Sequence, residues 1–444
     1  MDLTPSSSSN NRLNKLVATY SLMGLYPYDD FLMLADDFGK AFKAKEKAYF
    51  IYLQLDQFPE IRNVLGDRYT EQVLAITRER LQKMMNQRGF ATHIADGFFG
   101  LFLLDRCLKK SVQLLMDEMI EVLGLSISAY DQEIFVTCSY GISVFPEHGN
   151  TPKDCIAKAK AALNQKNTMV VRDLRVEYND GITRKMRNDF RTEMSLRKGL
   201  EQEQFELYYQ PQMDAMSGEL IGLEGLIRWQ HPEEGVKMPG TFIELAEATG
   251  LIFPLGEWVI EQAFRRLETW KKQGWEAITI SINISSRHFL DPSLQHFLAA
   301  CLQKYDVNAQ QLIVQITEDV AIEDLEKAKQ QILAIRAHGF QVSIDDFGTG
   351  FSAFHYLQHF PVQEIKIDRQ FIQDITYNEV SVRIAKSIID LANMLKLKVV
   401  CEGVETEEQY KILQQIGCPI LQGYYFSKPM RYQDVWDWWK NKKT

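Results

Sequence analysis

The sequence predicts an α/β protein in two parts, an α+β sandwich up to about residue 178 and an eight-stranded β/α barrel from about residue 199. Three observations carry this. From Phe205 onward, short apolar or β-branched runs alternate with helix-length amphipathic segments, eight strand candidates in all. No Gly-rich nucleotide turn follows the first of these runs, which disfavours the runner-up, a doubly wound open sheet. Before residue 178 the runs are fewer and longer and are separated by helical patterns.

In the first part, strand-like runs lie at Tyr49–Leu55, Phe98–Leu104 and Ile134–Val144, with helical patterns at Arg68–Met85, Lys110–Leu123 and Pro152–Gln165. Asp180–Gln204 is charged and periodic, with Met186, Phe190, Met194 and Leu196 on roughly one face, and reads as a linker helix. The barrel strands are Glu206–Gln210, Leu220–Trp229, Ile278–Ile284, Leu312–Ile316, Gln341–Ile344, Ile365–Ile367, Lys398–Val400 and Leu421–Tyr425. The expected organisation is a tail (1–15), a first domain (16–178), a linker helix (179–198) and the barrel domain (199–444). Too few residues precede the first domain for a further sensor domain to be expected there.

Composition narrows the classes. Of 444 residues, 45% are hydrophobic and 25% charged, the balance of a globular protein. The net charge of −9 argues against a DNA or RNA polymer as partner, since that needs a basic face. A small anion remains possible where metal ions or local cations meet it. No apolar run is long enough to span a membrane, and Met1–Asn11 lacks the basic and apolar regions of a signal peptide. Cys107, Cys138, Cys155, Cys301, Cys401 and Cys418 form no C-x-x-C pair, so reduced thiols in a cytoplasmic setting are expected.

In a β/α barrel, functional groups gather where strands end. Here the strands deliver Gln210, then Glu224 and Arg228, Asn283, Gln315 and Glu318, Asp345 and Asp346, Lys366 and Asp368, Glu402 and Glu405, and finally Gln422. Each acid alone could be a helix cap or a solvated loop charge. Converging together they repel unless cations neutralise them. Oxygen-only ligands suit Mg²⁺ or Mn²⁺. Two such ions about 3.5–4 Å apart serve in-line phosphoryl displacement, and Lys366 adds a fixed cation for phosphoryl oxygens.

Tyr209-Gln210-Pro211, Glu224-Gly225-Leu226 with Arg228-Trp229, Ile282-Asn283-Ile284-Ser285, Ile316-Thr317-Glu318, Asp345-Asp346-Phe347-Gly348-Thr349-Gly350, Lys366-Ile367-Asp368-Arg369, Glu402-Gly403-Val404-Glu405 and Gln422-Gly423-Tyr424 resemble the motifs of EAL domains over roughly residues 195–435. Those are cyclic di-GMP phosphodiesterases and receptors on a modified β/α barrel. The resemblance implies that Glu224, Asn283, Asp345, Asp346 and Glu402 are metal ligands for two Mg²⁺ or Mn²⁺ ions, with Asp345 bridging. It implies that Lys366 contacts the attacking water or the phosphate, and that Glu224, Lys366, Asp345 and Glu402 carry the catalysis. Substrate contacts would come from Gln210, Arg228, Asn283, Asp346 and Gln422, while Glu318 and Glu405 would orient the 345–352 loop, which would couple a homodimer interface to the metals.

Two positions depart from the family. Gly225 replaces the alanine of E-A-L, which removes a methyl beside Glu224. Gln315 stands where a metal-ligating glutamate is expected; an amide oxygen still coordinates a hard ion but brings no charge. Two readings therefore stay open, a phosphodiesterase that opens cyclic di-GMP to linear pGpG and a receptor that holds it without turnover.

The first part resembles a degraded GGDEF domain, a ferredoxin/cyclase-like sandwich. Leu22, Gly24 and Leu25 keep part of its opening motif, with Tyr20 and Met23 substituted. Leu53-Gln54-Leu55-Asp56-Gln57-Phe58 has Gln54 in place of a metal-binding Asp, Arg62 replaces a nucleotide-holding Asn, and the signature hairpin reads Ala95-Asp96-Gly97-Phe98-Phe99. The upstream product-binding R-x-x-D is replaced by Asn86 and Gly89, whereas Ser139-Tyr140-Gly141-Ile142-Ser143 keeps a later strand. Cyclase chemistry needs metal-holding acids and backbone room for a triphosphate, so no cyclase activity is expected. Phe98 and Phe99 are expected in the core, with a contact to a protein partner as the alternative.

Overall fold

The computed structural model describes residues 25–42, 46–85, 88–108, 111–165, 175–320, 324–348 and 360–443. The tail at 1–15, the opening motif at 20–24, Asn86 and most of the loop after Gly348 lie outside the described residues. The chain divides into two compact units, 1–188 and 189–444.

In the first unit the described elements are α1 (Tyr28–Lys40), β1 (Ala48–Leu55), α2 (Phe58–Leu65), α3 (Asp67–Met85), β2 (Gly89–Ala95), β3 (Phe98–Leu104), α4 (Val112–Leu123), β4 (Ile127–Ala129), β5 (Gln132–Ile134), β6 (Cys138–Phe145), α5 (Pro152–Asn164) and β7 (Arg175–Glu177). Helix α6 (Asp180–Glu201) holds the boundary between the units. The sheet runs β2-β3-β1-β6-β7. Strand β1 is central and buried on both faces, so its alternation separates two cores. Phe50 and Tyr52 join Phe31 and Phe102 on one side, and Ile51 and Leu53 join Val73 and Met116 on the other.

The β2–β3 hairpin turns at Asp96 (φ 43°) and Gly97. Phe99 is fully buried, and the half-buried Phe98 packs on Tyr52 with ring centroids 5.6 Å apart. Both aromatics belong to the core. The single run expected at Ile134–Val144 is two strands, β5 and β6. Between them Thr137 is diverted, its N–H donating to Gln57 Oε1 (2.8 Å) and its hydroxyl to Asp56 Oδ2 (2.8 Å). Helix α1 and strand β2 were not among the expected elements.

The second unit contains β8 (Phe205–Asp214), β9 (Leu220–His231), β10 (Gly235–Lys237), α7 (Ile243–Thr249), α8 (Ile252–Lys272), β11 (Thr279–Asn283), α9 (Ser286–Phe289), α10 (Ser293–Lys304), β12 (Leu312–Thr317), α11 (Leu325–Ala337), β13 (Gln341–Phe347), β14 (Glu364–Ile367), α12 (Glu379–Met394), β15 (Lys398–Cys401), α13 (Glu407–Gln415), β16 (Ile420–Gln422), β17 (Met430–Arg431) and α14 (Tyr432–Lys443). Strands β9-β11-β12-β13-β14-β15-β16-β8 follow in that order, and β8 pairs back to β9, so the sheet closes.

Among the described barrel strands, the strand–helix alternation fails at the start. Strand β8 runs antiparallel to both β9 and β16, and no helix separates β8 from β9. The connection is too short for a crossover, which needs about a dozen residues. Asp214 Oδ1 accepts from the N–H groups of Met216 (3.0 Å) and Ser217 (2.7 Å), and Gly218 takes φ 69° to close the turn. From β9 onward the barrel pairs are parallel up to β16.

Candidate functional site

Alternation along each barrel strand sends every second residue inward. Glu224 of β9 lies opposite Gln210 of β8 and level with Ser281 of β11, while Asn283 is level with Gln315 of β12. Gln422 of β16 faces Gln212 of β8. Branched apolar side chains commonly fill such barrels. This interior instead holds Gln212, Ser281, Gln315, Ser343, Glu364 and Lys366, all buried.

Asp345 and Asp346 are neighbours on β13 and would ordinarily point to opposite faces. The register of β13 against β14 breaks between Ile344 and Phe347, and Asp346 adopts φ 53°. That bulge turns both carboxylates to the wall of one cavity. A non-glycine residue in the left-handed region costs on the order of 1 kcal/mol, which the surrounding strands sustain.

Lys366 is fully buried beneath three acids. Its ammonium lies 3.1 Å from Glu224 Oε1 and 3.3 Å from Asp345 Oδ2, and pairs most closely with Glu402. Burial opposes its charge, but Asp345, Glu224 and Glu402 outweigh burial and hold its pKa well above the ordinary lysine value. Burial also opposes ionisation of Glu224, yet Lys366, Gln422 and Asn283 hold its carboxyl below the usual range. Burial raises Asp345, and burial with Asp345 beside it pushes Asp346 up to about 6. Burial pushes Glu402 up to about 8, with Asp345 and Glu224 adding to it and Lys366 opposing.

Glu224, Asp345 and Glu402 each offer an oxygen within 4.8 Å of the others. Three acids against one lysine leave an excess of negative charge, and the donors are all oxygen. That set fits a hard divalent cation.

The other expected residues surround this cluster. Asn283 Nδ2 donates to Glu224 Oε1 (2.9 Å), and Gln422 Nε2 donates to Glu224 Oε2 (2.5 Å) and to Gln210 Oε1 (3.1 Å). The Gln315 amide satisfies its neighbours when its Nε2 donates to Glu224 Oε1 (3.1 Å) and its Oε1 accepts from Ser281 Oγ and Lys366 Nζ, both at 3.2 Å. Gln315 is thus buried beside the acids and bonded to one of them. Arg228 is buried, stacks 5.6 Å from the Tyr208 ring centroid, and makes no ion pair among the described residues. Glu405 lines a cavity wall and Glu318 is buried just past β12; the segment they were expected to orient is largely outside the described residues. The strand has room at Gly225 for the alanine it replaces. A Cβ there would lie 3.4 Å from Ile282 Cγ2, an ordinary contact, and hydrogen bonds hold the carboxylate instead.

Two cavities flank the cluster. The larger, about 790 Å³, reaches from Asn283, Asp345 and Asp346 to Leu226, Pro239 and His288. The smaller, about 260 Å³, is walled by Gln210, Glu224, Glu402, Gln422 and Tyr424. His288 in the larger and Gln212 and Ser281 beneath the acids were not among the expected residues. Gln212 and Ser281 each stand two residues along a strand from an expected one, the inward period that could have found them.

A family model for the EAL domain matches residues 193–429, and one for the diguanylate cyclase GGDEF domain matches residues 31–169. The bifunctional diguanylate cyclase/cyclic di-GMP phosphodiesterase MucR of Pseudomonas aeruginosa is 30% identical over 403 residues, 90% of this chain and 58% of that protein. The cyclic di-GMP phosphodiesterase PdeR of Escherichia coli is 30% identical over 440 residues, 99% of this chain and 66% of that protein. This chain therefore spans only part of the length of those relatives. A solved structure of the PaMucR phosphodiesterase in complex with c-di-GMP is 38% identical and superposes with a TM-score of 0.53, covering 55% of this chain and 99% of that one. The chain belongs to the EAL family and carries a GGDEF domain ahead of the EAL barrel.

Proposed function

We propose that the barrel hydrolyses cyclic di-GMP to linear pGpG with divalent metal, two Mg²⁺ or Mn²⁺ ions being the expected complement. The observation that carries this reading is the oxygen cluster of Glu224, Asp345 and Glu402 around Lys366, set between two cavities. A phosphodiester flanked by two bulky nucleosides is a two-lobed ligand of that outline. Its phosphate would sit over the acids and its bases in the two cavities.

Within this reading Glu224, Asp345 and Glu402 hold the metal, with Asn283, Asp346 and Gln315 adjacent. A bound divalent ion supplies Lewis acidity to the phosphoryl oxygens and acidifies water. Lys366 compensates the acids and presents a proton-rich ammonium at the reacting centre. Arg228, with no acidic partner of its own among the described residues, meets a ligand phosphate. Gln210 and Gln422 line the smaller cavity and orient the ligand there. Glu318 and Glu405 steady the loop after β13. The test incubates purified protein with cyclic di-GMP and Mg²⁺ or Mn²⁺. Formation of pGpG is expected, and its absence in both metals across alkaline pH refutes turnover.

One observation favours a second reading, a receptor that binds cyclic di-GMP without cutting it. In the amide orientation that satisfies its neighbours, Gln315 donates a hydrogen bond to Glu224, which a carboxylate at that position cannot do. A receptor binds the dinucleotide in EDTA, as calorimetry reads directly, and Gln315→Glu then confers turnover.

The first unit is taken as a regulatory module without cyclase activity, because Gln54 replaces a metal-binding acid and Gly97-Phe98 stands where the hairpin's acidic pair is expected. Cyclic di-GMP formed from GTP and Mg²⁺ contradicts this. That unit would supply a protein contact. A homodimer through the barrel fits the apolar exposure of Tyr377 just before α12 and of Val380 and Ile384 on it (80%, 61% and 39%). Sedimentation at micromolar concentration tests it, a monomer being the contrary result. The setting is taken as cytoplasmic; no helix among the described residues is long and apolar enough to cross a membrane.

A further inference from the structure

Gln212 lies in the barrel interior, 3% exposed, and lines neither cavity. It lies one layer below the acids, two residues along β8 from Gln210, which does line the smaller cavity. Its Nε2 donates to Gln422 Oε1 (3.0 Å) and approaches Ser281 Oγ (3.4 Å). Two chains of hydrogen bonds start from that one amide nitrogen.

One arm passes through Gln422. With its Oε1 engaged by Gln212, the Gln422 amide turns its N–H groups toward Glu224 Oε2 (2.5 Å) and Gln210 Oε1 (3.1 Å). The other arm passes through Ser281. With its oxygen accepting from Gln212, the Ser281 hydroxyl donates to Gln315 Oε1 (3.2 Å), and Gln315 Nε2 then donates to Glu224 Oε1 (3.1 Å). The arms reunite on the two oxygens of Glu224.

Every donor in this ring points the same way, from Gln212 to Glu224. An amide can present either its oxygen or its nitrogen to a neighbour, and only its partners decide which. If the Gln422 amide turned over, its oxygen would face the Glu224 carboxylate and repel it. A glutamate at 315 would leave the second arm with no proton to donate to Glu224. The carboxylate of Glu224 can only accept, which sets the direction of both arms, and Gln212 closes them at the far end by holding Gln422 Oε1 and Ser281 Oγ.

We propose that Gln212 is a positioning residue: it orients the Gln422 amide directly and the Gln315 amide through Ser281, so that both donate to Glu224 and hold its carboxylate in place for a divalent cation. The inference rests on Glu224 being a metal ligand, as in the proposed function. It adds two residues, Gln212 and Ser281, that hold the ligand without touching the ion.

The test measures Mn²⁺ affinity by electron paramagnetic resonance of the free ion, together with thermal melting, on the full chain. The variants are Gln212→Met, Ser281→Ala, Gln422→Met and the Gln212→Met/Gln422→Met pair. Gln212→Met keeps the side-chain length and removes the donor. It is expected to weaken Mn²⁺ binding about tenfold. In the Gln422→Met background the same change is expected to cost less than it does alone, because one arm is already cut. Ser281→Ala, which keeps the first arm, is expected to weaken binding about twofold or more. It stands in should Gln212→Met fail to fold.

Mn²⁺ affinity unchanged in Gln212→Met while its melting temperature falls means a purely structural role and overturns the proposal. Strict additivity of the 212 and 422 changes overturns it too, as does unchanged affinity in Ser281→Ala. Wild-type protein that takes up no Mn²⁺ instead overturns the metal-site reading itself, a result seen before any variant is made.

Discussion

At the scale of single residues, the balance at the mouth turns on Lys366 and Gln315. Lys366 is fully buried among three acids, so removing its charge leaves those acids uncompensated. Lys366→Met is expected to lower stability by about 3–5 kcal/mol in EDTA. Part of that loss should return with Mn²⁺ or Mg²⁺, which denaturant titrations in the two conditions would read; equal losses with and without metal would count against a cation site. Gln315→Glu places a fourth acid beside Glu224 and removes a donor to it. Its melting temperature should fall in EDTA and rise relative to wild type in saturating Mn²⁺. A change in the same direction in both conditions would contradict this account. The acids and Lys366 were legible in the sequence because charged side chains at strand ends are conspicuous. Gln212 and Ser281 were not, because their role depends on which way an amide and a hydroxyl face across five strands.

At the scale of elements, close packing and capping decide what the strands and helices can tolerate. Gly141 of β6 faces α5, and a Cβ there would lie 2.1 Å from the Ala159 carbonyl oxygen and 2.5 Å from the Leu163 nitrogen. Backbone cannot yield as a side-chain tip can, so Gly141→Ala should destabilise the first unit by about 1–3 kcal/mol. Chemical denaturation would show it, and a neutral result would mean that α5 shifts freely. Helices α8 and α10 are tied at Glu261, whose Oε1 accepts from Lys304 Nζ (2.6 Å), Tyr305 Oη (2.8 Å) and Arg265 Nη2 (3.3 Å). The Lys304 hydrogen bond is the leading cause that holds Glu261 down at about 2, against burial. A carboxyl with a depressed folded pKa stabilises above its unfolded value and loses that contribution as pH falls. The clamp is therefore fully present above about 4.5 and fades toward about 2. Partial exposure limits it to about 1 kcal/mol. Glu261→Gln should thus lower stability at pH 7 and leave it nearly unchanged at pH 2, as urea titrations at both values would test. Most of the elements could be read from apolar periodicity. The β8–β9 hairpin was missed by that reading, although the short polar connection leaves no length for a crossover and so already points to an antiparallel pair. The turn bonds of Asp214 settle it.

At the scale of the whole molecule, each unit holds cores of its own, so each is expected to melt as its own cooperative block. Cyclic di-GMP with Mn²⁺ should raise only the transition of the barrel unit, since a ligand stabilises the state that binds it. Calorimetry of the full chain reads this; a shift of both transitions together would mean the units unfold as one. The sequence by itself determined the class of each unit, the family, and the residue types gathered at the barrel mouth. Those follow from hydrophobic period and from which strands end in polar side chains, both local along the chain. The tertiary structure alone decided the bulge that turns Asp345 and Asp346 to one wall and the polarity of the hydrogen bonds reaching Glu224. Each of these depends on groups far apart in sequence meeting in one place. A donor and an acceptor have no direction until the fold gives them partners. The buried amide at 315 is the instance with most at stake, since its partners make it a donor to the acid beside it.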